Sequence, residues 1–397
     1  MNVLFLFIVY PDVKENSSMY TDLTMEFASK GHKVFVAVAN GPCKTTINNE
    51  NGIKVLRVKT LELYNTSIFK KGLANILLPY QVMSKIRQYF HTVIFDVIII
   101  PTPPITYLST VKKLKKKSKS KLYLILRDIF PQNAWDLGII RSRILFNYFR
   151  AKEKKLYAIS DFIGCMSQGN IEYVRKYNPE VESKKLHLLP NWKNIVNPKN
   201  EDPDIRKKYI LENKYIALYG GNLGKPQQLG FILELADAVK HLTDIVFLII
   251  GDGTEKKKMI KDSIKMNLSN VLFMNTLPRD KYQEVAKICD IGLINNSSLF
   301  TIPNFPSRTL SYWEAKLPIL AAINKNTDYG EILERSGSGL GCLTGDINVY
   351  MQNFMKLYSN KALRISMGES GYNYLVENCL TSQAYKTIIE KLSSNLF

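Results

Sequence analysis

Residues 215–225 read Tyr-Ile-Ala-Leu-Tyr-Gly-Gly-Asn-Leu-Gly-Lys, and residues 246–253 read Val-Phe-Leu-Ile-Ile-Gly-Asp-Gly. In both stretches a short, continuous apolar run ends in a glycine-rich turn that leads into a helical pattern. Such runs are typical of buried parallel strands. A glycine turn at the carboxyl end of a strand lets backbone N–H groups approach a phosphate. Two successive turns of this kind, followed by Pro306, Ser307 and Arg308, predict a site for a nucleotide diphosphate.

The length and composition indicate a globular protein with more than one domain. The chain has 397 residues, which is too long for one ordinary core and fits two domains. No apolar run approaches the roughly 18 residues of a membrane-spanning helix, and residues 3–9 are expected to form a buried strand, not a signal peptide. The five cysteines are scattered and form no Cys-x-x-Cys pair, which favours a reducing cytoplasm.

Strand-like and helix-like segments alternate twice along the chain. The alternation restarts at Tyr215, after a polar and proline-rich segment at residues 190–203. This pattern predicts right-handed βαβ units with parallel sheets. The expected fold class is α/β, with two Rossmann-like doubly wound domains facing a cleft. We expect the domains to cover residues 1–195 and 196–375, and an amphipathic segment at residues 376–397 to pack back on the N-terminal domain.

The positive charge is concentrated in the first half of the chain. The net charge is +19, and residues 1–200 hold 31 Lys and Arg against 14 Asp and Glu, whereas residues 201–397 hold 23 against 21. A charge run of this kind is often only a solvated helix face. The functional alternatives are an anionic membrane surface or an acidic ligand, and nucleic acid ranks below both because no nucleic-acid-binding signature accompanies the charge. Residues 68–90 fit a basic amphipathic membrane helix or, as we prefer, a helix covering the sheet.

Several short motifs follow one another in order over nearly the whole chain. They are Lys30-Gly-His-Lys-Val34, Arg127-Asp-Ile-Phe-Pro131, Ser160-Asp161, Leu189-Pro-Asn191, the two glycine turns and Pro306-Ser-Arg-Thr-Leu-Ser-Tyr312. Their order and spacing resemble the GT-B family of nucleotide-sugar glycosyltransferases, and within it the retaining group 4 members that build bacterial surface polysaccharides. The most similar subgroup is the WbuB-like amino-sugar transferases of O-antigen and capsule assembly.

The resemblance implies a division of labour between the two domains. The C-terminal domain would hold a UDP-sugar donor, and the basic N-terminal domain would receive a lipid-linked or growing glycan acceptor on an anionic membrane surface. The enzyme would then be cytoplasmic and peripheral on the inner face of the cell membrane. The transferred sugar would be an N-acetylated amino sugar or a hexose, with anomeric retention and no nucleic-acid partner.

The sequence departs from the family pattern at several donor-site positions. Many relatives carry two glutamates eight residues apart. This chain has Ser311 at the position of the second glutamate and Pro306 near that of the first, and Glu314 lies one helical turn after Ser311. Asn222 and Gln227 replace the usual Arg and Lys of the first phosphate loop. Glycines expected near residues 14–18 and a histidine expected within residues 100–104 are also absent. These departures leave Lys225 and Arg308 as the cations for the diphosphate.

Four residues are candidates for catalysis. Lys225 follows the first glycine turn and would stabilise the charge of the departing phosphate. Arg127 and Asp128 close an apolar strand, and a carboxylate there would orient or deprotonate the acceptor hydroxyl, although a structural ion pair is an equal alternative. Glu314 would accept a bond from a ribose or sugar hydroxyl.

The remaining candidates concern donor binding. Arg308 would grip phosphate in two places beside the free N–H groups of a helix N-terminus, and Ser307 would cap that helix. Together with what the resemblance implies, the candidate donor-binding residues are Gly221, Asn222, Gly224, Lys225, Gly251, Gly253, Leu277, Ser307, Arg308 and Ser311.

No cofactor other than the donor is expected, and no metal, because no Asp-x-Asp pair lies in a suitable loop. Three alternatives stay open. A UDP-sugar 2-epimerase would use the same two-domain scaffold without an acceptor. A nucleotide-dependent dehydrogenase is disfavoured because neither turn completes Gly-x-Gly-x-x-Gly. A non-catalytic partner subunit that binds nucleotide sugars would explain the missing glutamates.

Overall fold

The computed structural model describes residues 1–12, 17–63, 68–196 and 204–394. The described chain forms two compact units: Met1–Trp192 together with the residues from Thr381 onward, and Lys193–Leu380. The positions near residues 14–18, where glycines were expected, lie largely outside the described residues, as does the second half of the polar and proline-rich segment, residues 197–203.

The N-terminal unit contains an eight-stranded sheet with the order β3-β4-β2-β1-β5-β6-β7-β8. All neighbouring strands are parallel except β3 and β4, which form an antiparallel hairpin. The strands are β1 (Asn2–Phe7), β2 (Lys33–Ala39), β3 (Thr46–Glu50), β4 (Ile53–Val58), β5 (Val97–Thr102), β6 (Lys121–Leu126), β7 (Phe162–Cys165) and β8 (Leu186–Leu188).

The helices of the N-terminal unit connect these strands. They are α1 (Met19–Ser29), α2 (Ile68–Tyr89), α3 (Leu108–Ser118), α4 (Gln132–Asp136), α5 (Arg143–Ile159) and α6 (Gln168–Tyr177). The start of α1 is fixed by a capping box, in which the Ser18 side chain accepts from the Thr21 N–H and the Thr21 side chain accepts from the Ser18 N–H. This exchange satisfies two backbone donors that have no partner within the helix.

The C-terminal unit contains a six-stranded, fully parallel sheet. Its strands are β9 (Tyr215–Gly220), β10 (Ile245–Ile250), β11 (Val271–Met274), β12 (Ile291–Asn295), β13 (Ile319–Ile323) and β14 (Gly339–Leu343), in the order β11-β10-β9-β12-β13-β14. β9 and β10 are buried along their whole length, as the continuous apolar runs predict. The strand order reverses between β9 and β12, and ligands of doubly wound sheets bind outside the carboxyl ends of the strands at such a point.

Eight helices of the described chain belong to the C-terminal unit. They are α7 (Ile205–Lys208), α8 (Gly230–Ala238), α9 (Lys256–Lys265), α10 (Arg279–Lys287), α11 (Thr309–Glu314), α12 (Tyr329–Ser336), α13 (Ile347–Ser359) and α14 (Lys361–Asn378). The aromatic rings of Phe231 in α8 and Tyr350 in α13 stack at 4.9 Å, which joins these two helices over the sheet. Residues 376–378, expected in the closing segment, are the end of α14.

The last described helix, α15 (Thr381–Ser393), completes the core of the N-terminal unit. Its residues Ala384, Ile388 and Leu392 are buried in the same cluster as Phe27 of α1. Tyr385 packs edge-on against Phe27, with ring centres 4.8 Å apart. Two separate parts of the sequence therefore build one core.

Candidate active site

The loops that follow β9 and β12 meet at the point where the strand order of the C-terminal sheet reverses. The Ser297 N–H donates to the Pro226 oxygen at 2.8 Å, and the Ser298 N–H donates to Gln228 Oε1 at 2.9 Å. These two bonds hold the first glycine turn and the loop before α11 against each other. The candidate donor site is therefore built on fixed backbone.

The two glycine turns pack directly on each other. The N–H groups of Gly221 and Leu223 donate to the oxygens of Ile250 and Asp252 at 2.9 and 2.8 Å, so the pairing of β9 with β10 continues past both strands. A Cβ on Gly251 would lie 1.9 Å from the Gly221 oxygen, and Gly251 has a φ of +155°. Glycine is required there because no side chain fits the approach.

Bonds within the protein also occupy the other glycine donors that were predicted to bind phosphate. Besides Gly221 and Leu223, the N–H of Gly251 donates to the Met274 oxygen at 3.2 Å. The N–H of Gly253 donates to Asp252 Oδ1 at 2.8 Å, and that of Gly224 to Gln227 Oε1 at 3.2 Å. The expectation that these glycine amides are open to a phosphate is wrong. Neighbouring strands take the N–H groups of Gly221 and Gly251, and the side chains of Asp252 and Gln227 take those of Gly253 and Gly224.

Arg308 provides the donor that the glycine amides do not. Its guanidinium carbon lies 4.3 Å from the centre of the Tyr219 ring. The guanidinium also lies close to Gly221: a Cβ added at Gly221 would be 3.8 Å from Cζ and from Nη2 of Arg308. Nη1 is buried and has no hydrogen-bond partner among the described residues. A buried, charged donor without an acceptor is costly, so an anion bound here would satisfy it.

Arg308 remains positively charged at this position. Burial lowers the pKa of Arg308, but the neighbouring Tyr219 and Tyr312 raise it by more than burial lowers it. The pKa of Arg308 is therefore above its ordinary value. Tyr312 is itself fixed, because its hydroxyl donates to the carbonyl oxygens of Leu218 and Leu293, each at 3.1 Å. The cation is therefore held between aromatic rings that are part of the sheet core.

The helix after Arg308 begins differently from the prediction. α11 begins at Thr309, and its N-cap residue is Arg308, which makes no side-chain capping bond. The first N–H groups are engaged in tight turns: Thr309 donates to the Pro306 oxygen at 3.1 Å and Leu310 to the Ser307 oxygen at 3.3 Å. Ser307 therefore does not cap the helix, and these two amides are not free for phosphate.

Three further candidates lie on loops at the same edge of the sheet. Lys225 is exposed and opens the short 3-10 turn that follows Gly224. The Asn222 amide donates to Gln227 Oε1 at 3.4 Å. Leu277 is half-buried in the loop between β11 and α10. Their roles toward a donor stay predictions.

Glu314 and Ser311 lie in a polar network inside the C-terminal unit. Glu314 is 5% exposed and forms an ion pair with Lys193, whose ammonium also donates to Ser311 Oγ at 2.9 Å. Glu314 Oε1 accepts from the Val196 N–H. The side-chain amide of Gln283 is oriented so that its nitrogen donates to Glu314 Oε2 at 3.0 Å and its oxygen accepts from the Ala315 N–H at 3.2 Å. Both carboxylate oxygens thus have protein partners, and the proposed contact of Glu314 with a donor hydroxyl stays a prediction.

The N-terminal unit holds the other two candidates at the carboxyl end of β6. The N–H groups of Arg127 and Asp128 donate to Thr102 Oγ1 and Thr102 O at 3.3 and 3.2 Å. The Arg127 guanidinium donates to Oδ1 of the fully buried Asn191. The Asp128 side chain is exposed. The strand ends thus fix the backbone of this pair, and Asn191 fixes the arginine.

The surroundings of this pair change its acid–base properties. Although the Asp128 side chain keeps access to solvent, the protein atoms that surround its carboxyl raise its pKa, and Arg127 partly opposes that rise. Burial lowers the pKa of Arg127. Tyr20 of α1 lies near both: burial raises the pKa of Tyr20, Arg127 lowers it and Asp128 raises it. A carboxyl group with a raised pKa is suited to accept a proton near neutral pH.

Three residues of these sites were missed or given another role by sequence reasoning. Tyr219 was interpreted only as a strand residue, Asn191 was named only as the end of a motif, and Tyr20 was not singled out. An aromatic residue directly before the glycine turn was a usable signal for Tyr219. The positions of Asn191 and Tyr20 beside Arg127 depend on tertiary contacts that no local pattern encodes.

The described residues contain neither a grouped set of metal ligands nor a membrane-spanning helix. No three His, Cys, Asp or Glu side chains among them are grouped to hold a metal ion, and metal independence stays a prediction. Within the same residues, no helix combines the length and the apolar character needed to cross a membrane. All five cysteines are free.

Comparisons with known proteins identify what the chain is similar to. Residues 201–374 match the family described as "Glycosyl transferases group 1". The chain is 23% identical over 288 residues to "Probable glycosyltransferase WbjE" of Pseudomonas aeruginosa, which covers 70% of each protein. It is 29% identical over 119 residues to "Putative colanic acid biosynthesis glycosyl transferase WcaI" of Escherichia coli K12, which covers 29% of each.

Among solved structures, HepE of Anabaena in complex with UDP-glucose matches with a TM-score of 0.74 at 14% identity, over 99% of this chain and 100% of HepE. At that identity the likeness shows the fold. The two α/β units with parallel Rossmann-like sheets therefore have the GT-B fold.

Proposed function

We propose, from the match of residues 201–374 to the group 1 glycosyl transferases, that the chain transfers a sugar from a UDP-sugar to a lipid-linked or growing glycan acceptor. The reaction proceeds with retention at the anomeric carbon, and the product belongs to a bacterial surface polysaccharide. Support for the polysaccharide comes from the similarity to WcaI, which is described as a colanic acid biosynthesis protein, and support for the nucleotide comes from HepE, which was solved with UDP-glucose.

The observation that carries the proposal is the unpartnered Nη1 of Arg308 above the first glycine turn. In a transfer reaction the bond between the sugar and UDP breaks, and negative charge grows on the departing phosphate. A fixed cation in a site of low dielectric constant stabilises that charge more in the transition state than in the ground state. We assign this role to Arg308, with Lys225 as the second cation for the diphosphate.

The acceptor side of the reaction is assigned to the N-terminal unit. Asp128, whose pKa is raised, accepts or orients the proton of the acceptor hydroxyl, and the charge of the neighbouring Arg127 favours the ionised carboxylate. With retention, the acceptor oxygen attacks from the face that UDP leaves. We propose an N-acetylated amino sugar or a hexose as the transferred group, WbuB-like chemistry, and a location on the inner face of the cell membrane.

The test is a panel of UDP-sugars, first by thermal shift and then by release of UDP in the presence of acceptor. A binding ligand raises the unfolding temperature because it stabilises only the folded chain. We expect Arg308→Ala to reduce kcat by about a hundredfold or more, as removal of an oxyanion donor does, and Lys225→Ala to reduce it less. The matched control is Lys240→Ala, an exposed lysine that pairs with Asp237.

Asp128→Asn separates donor binding from transfer. We expect this variant to bind UDP with unchanged affinity and to lose transfer to the acceptor. If the double variant of Lys225 and Arg308 transfers sugar at the wild-type rate, the proposal is wrong. Release of a free epimerised sugar from donor alone would instead identify the 2-epimerase, and UDP binding without any turnover would identify a partner subunit.

A further inference from the structure

The first half of α2 exposes an apolar stripe that the fold does not use. Its side chains are Leu73, Ile76, Leu77 and Tyr80, which are between 37% and 56% exposed. A spacing of three and four residues places them on one side of the helix. The helix already packs on β2 and β4, where Leu78 and Val82 are buried. The exposed stripe therefore lies on the side that faces away from the sheet.

A second exposed apolar group surrounds the start of α5. It consists of Ile139, Ile144, Leu145 and Tyr148, which are between 43% and 83% exposed. Single exposed apolar residues are common on protein surfaces. Four of them within ten residues of the chain, beginning in the loop before the helix, are a concentration that marks an interaction surface.

Topology brings the two groups to the same side and the same end of the N-terminal unit. α2 packs against α3, and α3 packs against α5, so the three helices cover one face of the sheet. Each helix follows a strand of the parallel sheet and therefore begins at the sheet's carboxyl edge. The exposed groups lie in the first half of α2 and at the start of α5, and thus near that edge. Arg127 and Asp128 follow β6 at the same edge.

The surroundings of both groups are positively charged. Neither α2 nor α3 contains Asp or Glu, and the acidic residue of α5, Glu153, is buried and paired with Arg150 at 2.6 Å. The Lys113 ammonium of α3 lies 5.7 Å from the centre of the Tyr80 ring of α2. The exposed basic side chains of this face include Lys112, Lys113, Lys116, Arg141, Arg143 and Lys155.

We propose that this apolar and basic surface, formed by residues 73–80 and 139–148 with the lysines of α3, docks on a bilayer that contains anionic phospholipids. Apolar side chains enter the boundary between headgroups and acyl chains, while the long basic side chains contact the headgroups. A nucleic acid would use the charge but would leave the exposed isoleucine and leucine side chains without a partner. The inference deepens the proposed function, because a docked edge places Asp128 near an acceptor held in the membrane.

The experiment is sedimentation of the full chain with vesicles, without donor or acceptor. Vesicles of phosphatidylcholine mixed with phosphatidylglycerol are compared with vesicles of phosphatidylcholine alone. We expect the wild-type chain to bind the anionic vesicles at least tenfold more tightly, and the binding to weaken as salt increases. The double variants Ile76→Ser with Tyr80→Ser, and Ile144→Ser with Tyr148→Ser, should each weaken binding by about tenfold.

The matched control is the double variant Ile210→Ser with Ile264→Ser. Both residues are in the C-terminal unit and are 83% and 70% exposed, and Ile264 lies on the lysine-rich helix α9. The control should bind vesicles like the wild type. Equal loss in the control, no preference for anionic vesicles, or no vesicle binding at all would overturn the inference.

Failure of the docking surface can be told apart from failure of the proposed activity. UDP release with a water-soluble acceptor analogue in detergent does not require a bilayer, so the serine variants should keep the wild-type rate in that assay. Vesicle binding by a chain that shows no transfer would support the surface and contradict the glycosyltransferase. Transfer without vesicle binding would support the enzyme and contradict the surface.

Discussion

The guanidinium of Arg308 lies on the face of Tyr219, with 4.3 Å between its central carbon and the centre of the ring. The hydroxyl of the same tyrosine donates to the Asn222 oxygen at 2.9 Å. Tyr219 thus positions both the cation and the first glycine turn. A contact of this kind contributes roughly 1–2 kcal/mol when it is shielded from water.

Replacement of Tyr219 should therefore affect the donor site in two separable ways. Tyr219→Leu removes the ring under Arg308, and we expect UDP affinity and kcat to fall together by about tenfold. Tyr219→Phe keeps the ring and loses the hydroxyl that bonds the turn, so its effect should be smaller. The measurements are isothermal titration with UDP and steady-state UDP release. Tyr350→Phe is the control, because it removes a hydroxyl bonded to Asn295 Oδ1 without touching Arg308.

The close packing of the two glycine turns predicts that alanine substitutions at two glycines of the same unit have very different effects on the free energy of unfolding. Gly251→Ala would place a Cβ 1.9 Å from the Gly221 oxygen at a φ of +155°, so we expect a loss of about 3 kcal/mol or more in the free energy of unfolding. Gly230→Ala at the start of α8 meets nothing within 4 Å and should be neutral or slightly stabilising. Urea unfolding measures both, and equal stability of the two variants would contradict the packing described here.

The ion pair of Glu314 with Lys193 predicts that Glu314→Gln lowers the free energy of unfolding. Removal of one partner leaves a buried ammonium without its counter-charge, which costs about 3–5 kcal/mol. The double variant Glu314→Gln with Lys193→Met removes both charges and should recover most of that loss. If the double variant is stable but has no transferase activity, Glu314 also serves the reaction, as the sequence analysis predicted.

The buried contact of His187 with Tyr123 predicts a dependence of stability on pH. Burial lowers the pKa of His187 from 6.5 to about 4, and Nε2 accepts from the Tyr123 hydroxyl at 2.6 Å, which requires an unprotonated nitrogen. Between pH 6.5 and about 4 the unfolded chain binds a proton here that the folded chain does not. Stability is therefore fully present above that window and falls as the pH decreases through it, by about 1.4 kcal/mol per pH unit at most.

The measurement is the free energy of unfolding in urea at several pH values between 4 and 7.5, for the wild type and for His187→Gln. The difference between wild type and variant isolates this residue from the other titrating groups. We expect the wild type to lose more stability than the variant toward low pH, whereas a control with the exposed His241 replaced by Gln should follow the wild type. Parallel curves for wild type and His187→Gln would contradict the assignment.

The parallel sheets were predictable because buried strands carry their own signal. The runs at residues 215–219 and 246–250 correspond closely to β9 and β10, since strands buried on both faces are apolar throughout. β3 was missed because it is a polar edge strand, exposed at four of its five residues. A local signal was present all the same. Asn51 and Gly52, both with positive φ, form the two-residue turn typical of a hairpin.

The candidate site was less predictable because its donors depend on register. The sequence shows that glycine turns follow β9 and β10, but not that the N–H groups of Gly221 and Gly251 are used by the neighbouring strands, at Ile250 O and Met274 O. Likewise, Arg308 could be chosen by its charge, while its support by Tyr219 depends on the placement of α11. The sequence therefore indicates the kind of chemistry, and tertiary contacts decide which atoms are free to perform it.

The position of α15 has a consequence for how the protein is made. Ala384, Ile388 and Leu392 belong to the core of the N-terminal unit, yet the ribosome synthesises them after the whole of the C-terminal unit. Domains usually fold in the order in which they emerge. In this chain the C-terminal unit can close first, whereas the earlier unit keeps the side of Phe27 uncovered until translation is almost finished. A nascent chain stalled before residue 381 would expose that apolar surface to chaperones.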